Sequence, residues 1–130
     1  MMVDIYNEIY TKLRTDLVDI TVLNAYTNES SNFPCVSFEE MNNTSNEETV
    51  DNSGETHADL SFEINICTNS PKARTDGRKI MQYVDDILGG HYGLVRDISR
   101  PVPNPVDKTI HRILMRYSGT VSNNKTIYRG

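Results

Sequence analysis

A chain of 130 residues, 37% of them hydrophobic, has room for one domain with a modest core, because a chain of this size buries roughly two-thirds of its unfolded surface. Its net charge of −5 sets it apart from sequence-reading nucleic-acid binders, which carry a basic footprint. No apolar run approaches the ~20 residues that a membrane span requires.

The start, MMVDIYNEIY, has neither the basic region nor the apolar core of a secretory signal, so use without Sec-type export is the expectation. Residues 4–18 predict a helix. Ile5, Ile9, Leu13 and Leu17 recur every four positions beside Tyr6 and Tyr10, with Asn7, Lys12, Arg14 and Asp16 on the polar side. Residues 20–26, ITVLNAY, form a short β-branched and aromatic run that reads as extended. A turn-rich NESSNFP follows, and residues 35–41, CVSFEEM, read as a strand beginning just after Pro34.

Residues 42–55, NNTSNEETVDNSGE, hold one apolar side chain, Val50, among the acids Glu47, Glu48, Asp51 and Glu55. They read as a long acidic loop joining two strands, far longer than the two to five residues of an ordinary hairpin. Residues 57–67 alternate cleanly: Ala58, Leu60, Phe62, Ile64 and Ile66 face one way, His57, Asp59, Ser61, Glu63 and Asn65 the other. That pattern predicts an antiparallel strand with one wet face. If this strand closes on residues 35–41 through the long loop, Met41 faces about Thr56. Cys35 then faces about residue 62, so Cys35 and Cys67 read as separate small hydrophobes. Two cysteines are in any case too few for a disulfide framework.

Residues 71–88 predict a second helix, capped by Ser70 with Pro71 in its first turn, carrying Ile80, Met81, Val84, Ile87 and Leu88 on one stripe. Gly89-Gly90 is the expected left-handed stop. Residues 93–99 are a candidate strand, and PVPNP at 101–105 an extended connector. Residues 109–118 predict a strand apolar on both faces and therefore central. The tail turns at Asn123-Asn124 toward a last strand around Ile127 and Tyr128. Together these elements predict one α+β domain over 1–130. Its mainly antiparallel sheet has four to five strands, two helices pack on one face, and the order is α-β-β-α-β-β.

The charge is unevenly spread. Residues 1–66 hold thirteen acids and two Lys/Arg, a net of −11; residues 67–130 hold five acids and eleven Lys/Arg, a net of +6. The halves either neutralise each other within the molecule or join one copy to the next. A repeated heterologous contact of the second kind closes into a ring when its rotation permits. Arg112 and Arg116, four apart on one side of a strand, and Arg100 are the cations placed to meet the acids.

Catalytic signals are absent from the sequence. It has no phosphate-cradling glycine loop, no dinucleotide fingerprint and no Gly-x-Ser-x-Gly elbow. His57 and Asp59 share a strand face with Glu63, but two ligands at i and i+2 recur by chance. His91 reads as a loop residue and His111 as a structural histidine in a central strand. Glu39 and Glu40 point to opposite sides of a strand, and Asp85-Asp86 read as the solvated side of a helix. No enzyme, metal or cofactor follows from these residues.

Four stretches, FPCVSFEEMNN (33–43), SGETHADLSFEINICTN (53–69), PVPNPVDKTIHR (101–112) and the terminal IYRG, resemble, in this order and spacing, a family of small bacteriophage and prophage proteins of low-GC Gram-positive hosts. These are the tail terminators, or head–tail joining proteins. The resemblance runs from the first helix to the last strand and carries no catalytic motif. NPVD at 104–107 has one proline more than the family pattern. The resemblance implies an α+β fold and a ring of six copies at the head-proximal end of the tail tube. Such a ring ends tube polymerisation and meets the head connector, with DNA passing through its lumen. It implies a virion location after assembly in the host cytoplasm, and tube, neck and connector proteins as partners, with no membrane. Glu47, Glu48, Asp51 and Glu55, with Arg100, Arg112 and Arg116, are then candidates for a subunit or tube interface, and Glu47, Glu48 and Asp51 for acids lining the lumen. Three alternatives remain: a neck or head-completion protein one ring higher, a small metal-dependent accessory enzyme using His57 and Asp59, and a host binding module.

Overall fold

The computed structural model describes residues 5–24, 33–46, 57–69, 73–102, 110–122 and 127–128. Helix α1 (Tyr6–Asp16) forms where the four-residue repeat falls. Ile5, Ile9, Leu13 and Leu17 are all buried, and the chain leaves the helix through Asp19, whose φ of 63° turns it back. Strand β1 (Thr21–Leu23) lies parallel to β2 (Cys35–Asn46). Strands β2 and β3 (His57–Thr68) are antiparallel, and β3 pairs along its other side with β5 (His111–Ser122). Strand β4 (Val95–Val102) forms the edge beyond β5, and β6 (Ile127–Tyr128) pairs with the far end of β5. The sheet order is β1-β2-β3-β5-β4, with β6 beside β5. The fold is α+β with a mostly antiparallel sheet, and β5 is an interior strand. The short strands β1 and β6 form where residues 20–26 read as extended and where a last strand is expected around Ile127 and Tyr128, although the order α-β-β-α-β-β does not include them.

Both helices lie on one face. The inward row of β3, Ala58, Leu60, Phe62, Ile64 and Ile66, is 2% exposed or less throughout. It packs with Val36, Phe38, Ile113, Met115 and Tyr117 from the flanking strands. Tyr6 stacks on Phe38 at 4.9 Å, and Phe38 on Phe62 at 5.1 Å. The Tyr6 hydroxyl donates to the Phe38 carbonyl and that of Tyr10 to the Val22 carbonyl at 3.2 Å, fastening α1 over β1 and β2. Helix α2 (Ala73–Asp85) covers β3 and β5 with Ile80 and Val84. It comes close at Gly77, where a Cβ would stand 3.2 Å from the side chains of both His111 and Ile113.

Four expectations are corrected. Strand β2 does not stop at Met41 but runs to Asn46, paired as far as Asn46 opposite His57. Residues 42–46 are strand because β3 supplies their hydrogen-bond partners, although their own side chains are polar. A bulge at Met41, between Glu40 and Asn42, absorbs one residue. The hairpin therefore closes on 47–56, and the register moves with it: Cys35 stands directly opposite Cys67. Gly89 and Gly90 do not cap α2. They lie inside a π-helical turn (Asp86–His91) held by Tyr92 N–H to the Ile87 carbonyl and Leu94 N–H to the Leu88 carbonyl. The glycine with positive φ, 78°, is Gly93. Finally, Pro101 and Val102 belong to β4, which tolerates proline because it is an edge strand. The caps proposed at Ser70 and Pro71 lie outside the described residues.

Phe62 is fully buried in the core cluster that the helices and the sheet share. Phe62→Ala is expected to lower stability by about 3–5 kcal/mol, read as a fall in the urea midpoint at unchanged slope. Burial, then the charges of Tyr10, Glu39 and Glu40, push the Tyr6 phenol from 10 up to about 12. The folded state thus favours the neutral phenol. The stability this contributes is complete below pH 10 and is lost as pH rises to 12. Tyr6→Phe should flatten the decline of the urea midpoint across that window.

Candidate functional site

The face of the sheet opposite the helices carries the residues that sequence periodicity marks as polar, and three of its cross-strand rows hold the candidate cations and the cysteines. The first is Thr21, Cys35, Cys67, Arg112 and Val102. The second is Leu23, Ser37, Asn65, Leu114 and Arg100. The third is Glu39, Glu63, Arg116 and Ile98. This face is not uniformly wet as expected. Cys35, Ser37, Asn65, Cys67 and Leu114 are all buried at its centre, and charged residues form its margin.

The buried centre is organised by one hydrogen bond. Arg112 Nε donates to Asn65 Oδ1 at 2.8 Å, giving a buried amide oxygen a charged donor and fixing the guanidinium over the sheet. Along the third row, Glu39 and Glu63 stand directly opposite each other, an unfavourable pairing of like charges. Arg116 Nη2 approaches Glu63 Oε2 at 3.6 Å from the other side and offsets part of that repulsion. Arg116 is half exposed, so the pair contributes about 1 kcal/mol or less. It nevertheless links an acid of the first half of the chain to a base of the second within one molecule.

Arg112 and Arg116 therefore do share a side, as the spacing predicts, and both have partners inside the molecule. Arg100 does not join them in this network. It is exposed on the β4 edge and borders a groove of about 530 Å³ between α2 and β4, lined also by Arg78, Met81, Pro101, His111 and Ile113. Glu47, Glu48, Asp51 and Glu55 lie outside the described residues, as does the His57 side chain. Asp59 accepts a hydrogen bond from Thr120 Oγ1 at 2.8 Å. Among the described residues, no cluster of three or more His, Cys, Asp and Glu could hold a metal ion. No helix among them is long and apolar enough to cross a membrane.

On the helix side, Asp85 is not the solvated residue its doublet suggests. Its Oδ1 accepts from the Tyr117 hydroxyl at 2.7 Å and lies 3.5 Å from Arg96, tying α2 to β5 and β4. Burial and this hydrogen bond raise the Tyr117 phenol well above its ordinary range. Sequence reasoning found neither this cluster nor the pairing of Glu63 with Arg116, because the first depends on which way a helix faces and the second on register. No family model matches the chain, and no curated protein shows significant similarity to it.

The two polar links on the helix-free face should separate sharply in mutants. Asn65→Leu leaves the Arg112 Nε without its acceptor and is expected to cost about 1–3 kcal/mol. Arg116→Ala, at the half-exposed pair, should cost under about 1 kcal/mol. Urea unfolding of both variants checks the order; equal costs would refute it.

Proposed function

We propose that the chain is a structural virion protein. It forms a ring, six copies in the family it resembles, at the head-proximal end of a phage tail tube, ending tube polymerisation and presenting a surface to the head connector. The observation that carries this reading is the separation of charge across the sheet. The strands of the acidic half, β1 to β3, occupy one side, and the strands of the basic half, β5 and β4, the other. Among the described residues no strand pairs with the side of β2 away from β3 beyond Ser37. Glu39 and Glu40 stand toward the β2 margin of the sheet, and Arg96 and Arg100 on the β4 margin opposite. Two such molecules meet favourably side by side only when the acidic margin of one faces the basic margin of the next. That contact is heterologous, and its repetition with a closing rotation yields a ring.

The acidic connection 47–56 leaves the β2–β3 hairpin at Asn46 and His57. We assign it to contact with the tube or the neighbouring copy, or to the DNA passage, where carboxylates would keep DNA from sticking. Electron microscopy of intact particles, with this chain's density located, tests the reading. A ring capping the tube supports it; density one ring higher, or none in the particle, overturns it.

Arg100 is exposed and makes no ion pair among the described residues, so Arg100→Glu should leave the urea midpoint within about 0.5 kcal/mol of the parent. It should nevertheless reduce ring formation on purified tubes, and Glu40→Lys in the same chain should restore it. Ring formation itself should weaken as salt rises. Replacing 47–56 by a two-residue turn should spare folding, because the paired hairpin remains, and yield tails that fail to join heads. Normal joining would remove this connection from the contact.

A further inference from the structure

Cys35 on β2 and Cys67 on β3 form no disulfide, are each 4% exposed, and stand directly opposite each other on antiparallel strands. A hydrogen bond joins the two thiols. Opposed residues on neighbouring antiparallel strands hold their Cβ atoms about 4.5–5.5 Å apart, and a disulfide needs about 3.5–4.5 Å. The pair is thus a small lateral movement of β2 and β3 from bonding distance. Arg112 occupies the next position in the same row, opposite Cys67. We infer that Cys35 and Cys67 form a thiol–disulfide site, oxidised by small-molecule disulfides to a reversible bridge between β2 and β3.

The chemistry balances through exchange. A thiolate of the pair attacks the small disulfide, forms a mixed disulfide and releases one small thiol. The second cysteine, as thiolate, attacks the protein sulfur of that mixed disulfide and releases the other small thiol. The protein loses two hydrogen atoms' worth of protons and electrons, and the small disulfide is reduced to two thiols. In the closed sheet the hydrogen bond from Cys35, then burial, then the neighbouring Cys35 charge hold the Cys67 thiol above its ordinary range, while the Arg112 guanidinium favours its thiolate. Attack therefore proceeds when the sheet opens locally. A small-molecule dithiol reverses the same exchange and returns both thiols.

This inference is independent of the assembly reading. Combined with it, the pair stays reduced in the host cytosol and closes once a particle enters an oxidising medium. The test is incubation of the full chain, in native buffer, with oxidised glutathione. Intact mass, alkylation of remaining thiols and peptide mapping are then read. The expected product has lost the mass of two hydrogen atoms, has no alkylatable thiol, links the Cys35 and Cys67 peptides, and is restored by dithiothreitol. Cys35→Ser should yield no such bridge and at most one glutathione adduct at Cys67. Glutathione added to both cysteines without closure would overturn the inference. So would thiols that remain alkylatable in the native chain but close in urea, or bridges formed only between molecules.

Discussion

Strand β3 is the constraint on which the molecule depends. Every one of its twelve residues is opposite a residue of β5, and eleven of them are opposite residues of β2. One of its faces is dry along its whole length. A slip of a single position would turn Ala58, Leu60, Phe62, Ile64 and Ile66 toward the helix-free side and bring Asp59, Glu63 and Asn65 against α1 and α2. The loss of apolar burial at about 25 cal/mol per Å² would exceed anything the margins could return. The register is therefore settled at β3, and the neighbours inherit it. The thiol pair, the row of Glu39, Glu63 and Arg116, and the Arg112–Asn65 hydrogen bond are all products of that one alignment.

This explains what could be read from the chain. β3 is legible because its alternation is complete, and α1 because Ile5, Ile9, Leu13 and Leu17 keep one stripe with nothing to contradict it. Arg112 and Arg116 could be placed on one side from period two alone. Residues 42–46 could not be read as strand, because nothing in NNTSN favours a pleated backbone locally. Their conformation comes from hydrogen bonds to residues more than ten positions away. Missing those five residues displaced the hairpin, and a displaced hairpin hid the cysteine pair. A local reading error thus became a chemical one.

The π-helical turn after α2 shows the same competition in another form. Gly89-Gly90 carries the local signal for ending a helix, but Ile87, Leu88 and Leu94 are all buried. Keeping them in the core requires a wider turn rather than a sharp stop, and glycine's freedom is used at Gly93 instead. Asp85 follows from this geometry. At the last residue of α2 it faces Tyr117 and Arg96, so a residue whose neighbour Asp86 looks solvated becomes a tie between layers. Helix-face assignments near an irregular end are illegible without the end itself.

The two faces of the sheet are stabilised by different physics. The helix side gains from apolar burial, which is non-directional and tolerant of small displacements. The centre of the other side is buried with sulfur, hydroxyl and amide groups, whose stability depends on direction and distance. Its margin carries opposite charges at opposite ends of the sheet. This face is dense in groups with chemistry toward another molecule: carboxylates and guanidinium groups toward a charged neighbour, thiols toward an oxidant. The proposed ring contact and the proposed bridge both use that asymmetry, one at the margins and the other at the centre. The Arg112 side chain stands between them, opposite Cys67 in its row and bonded to Asn65 in the next.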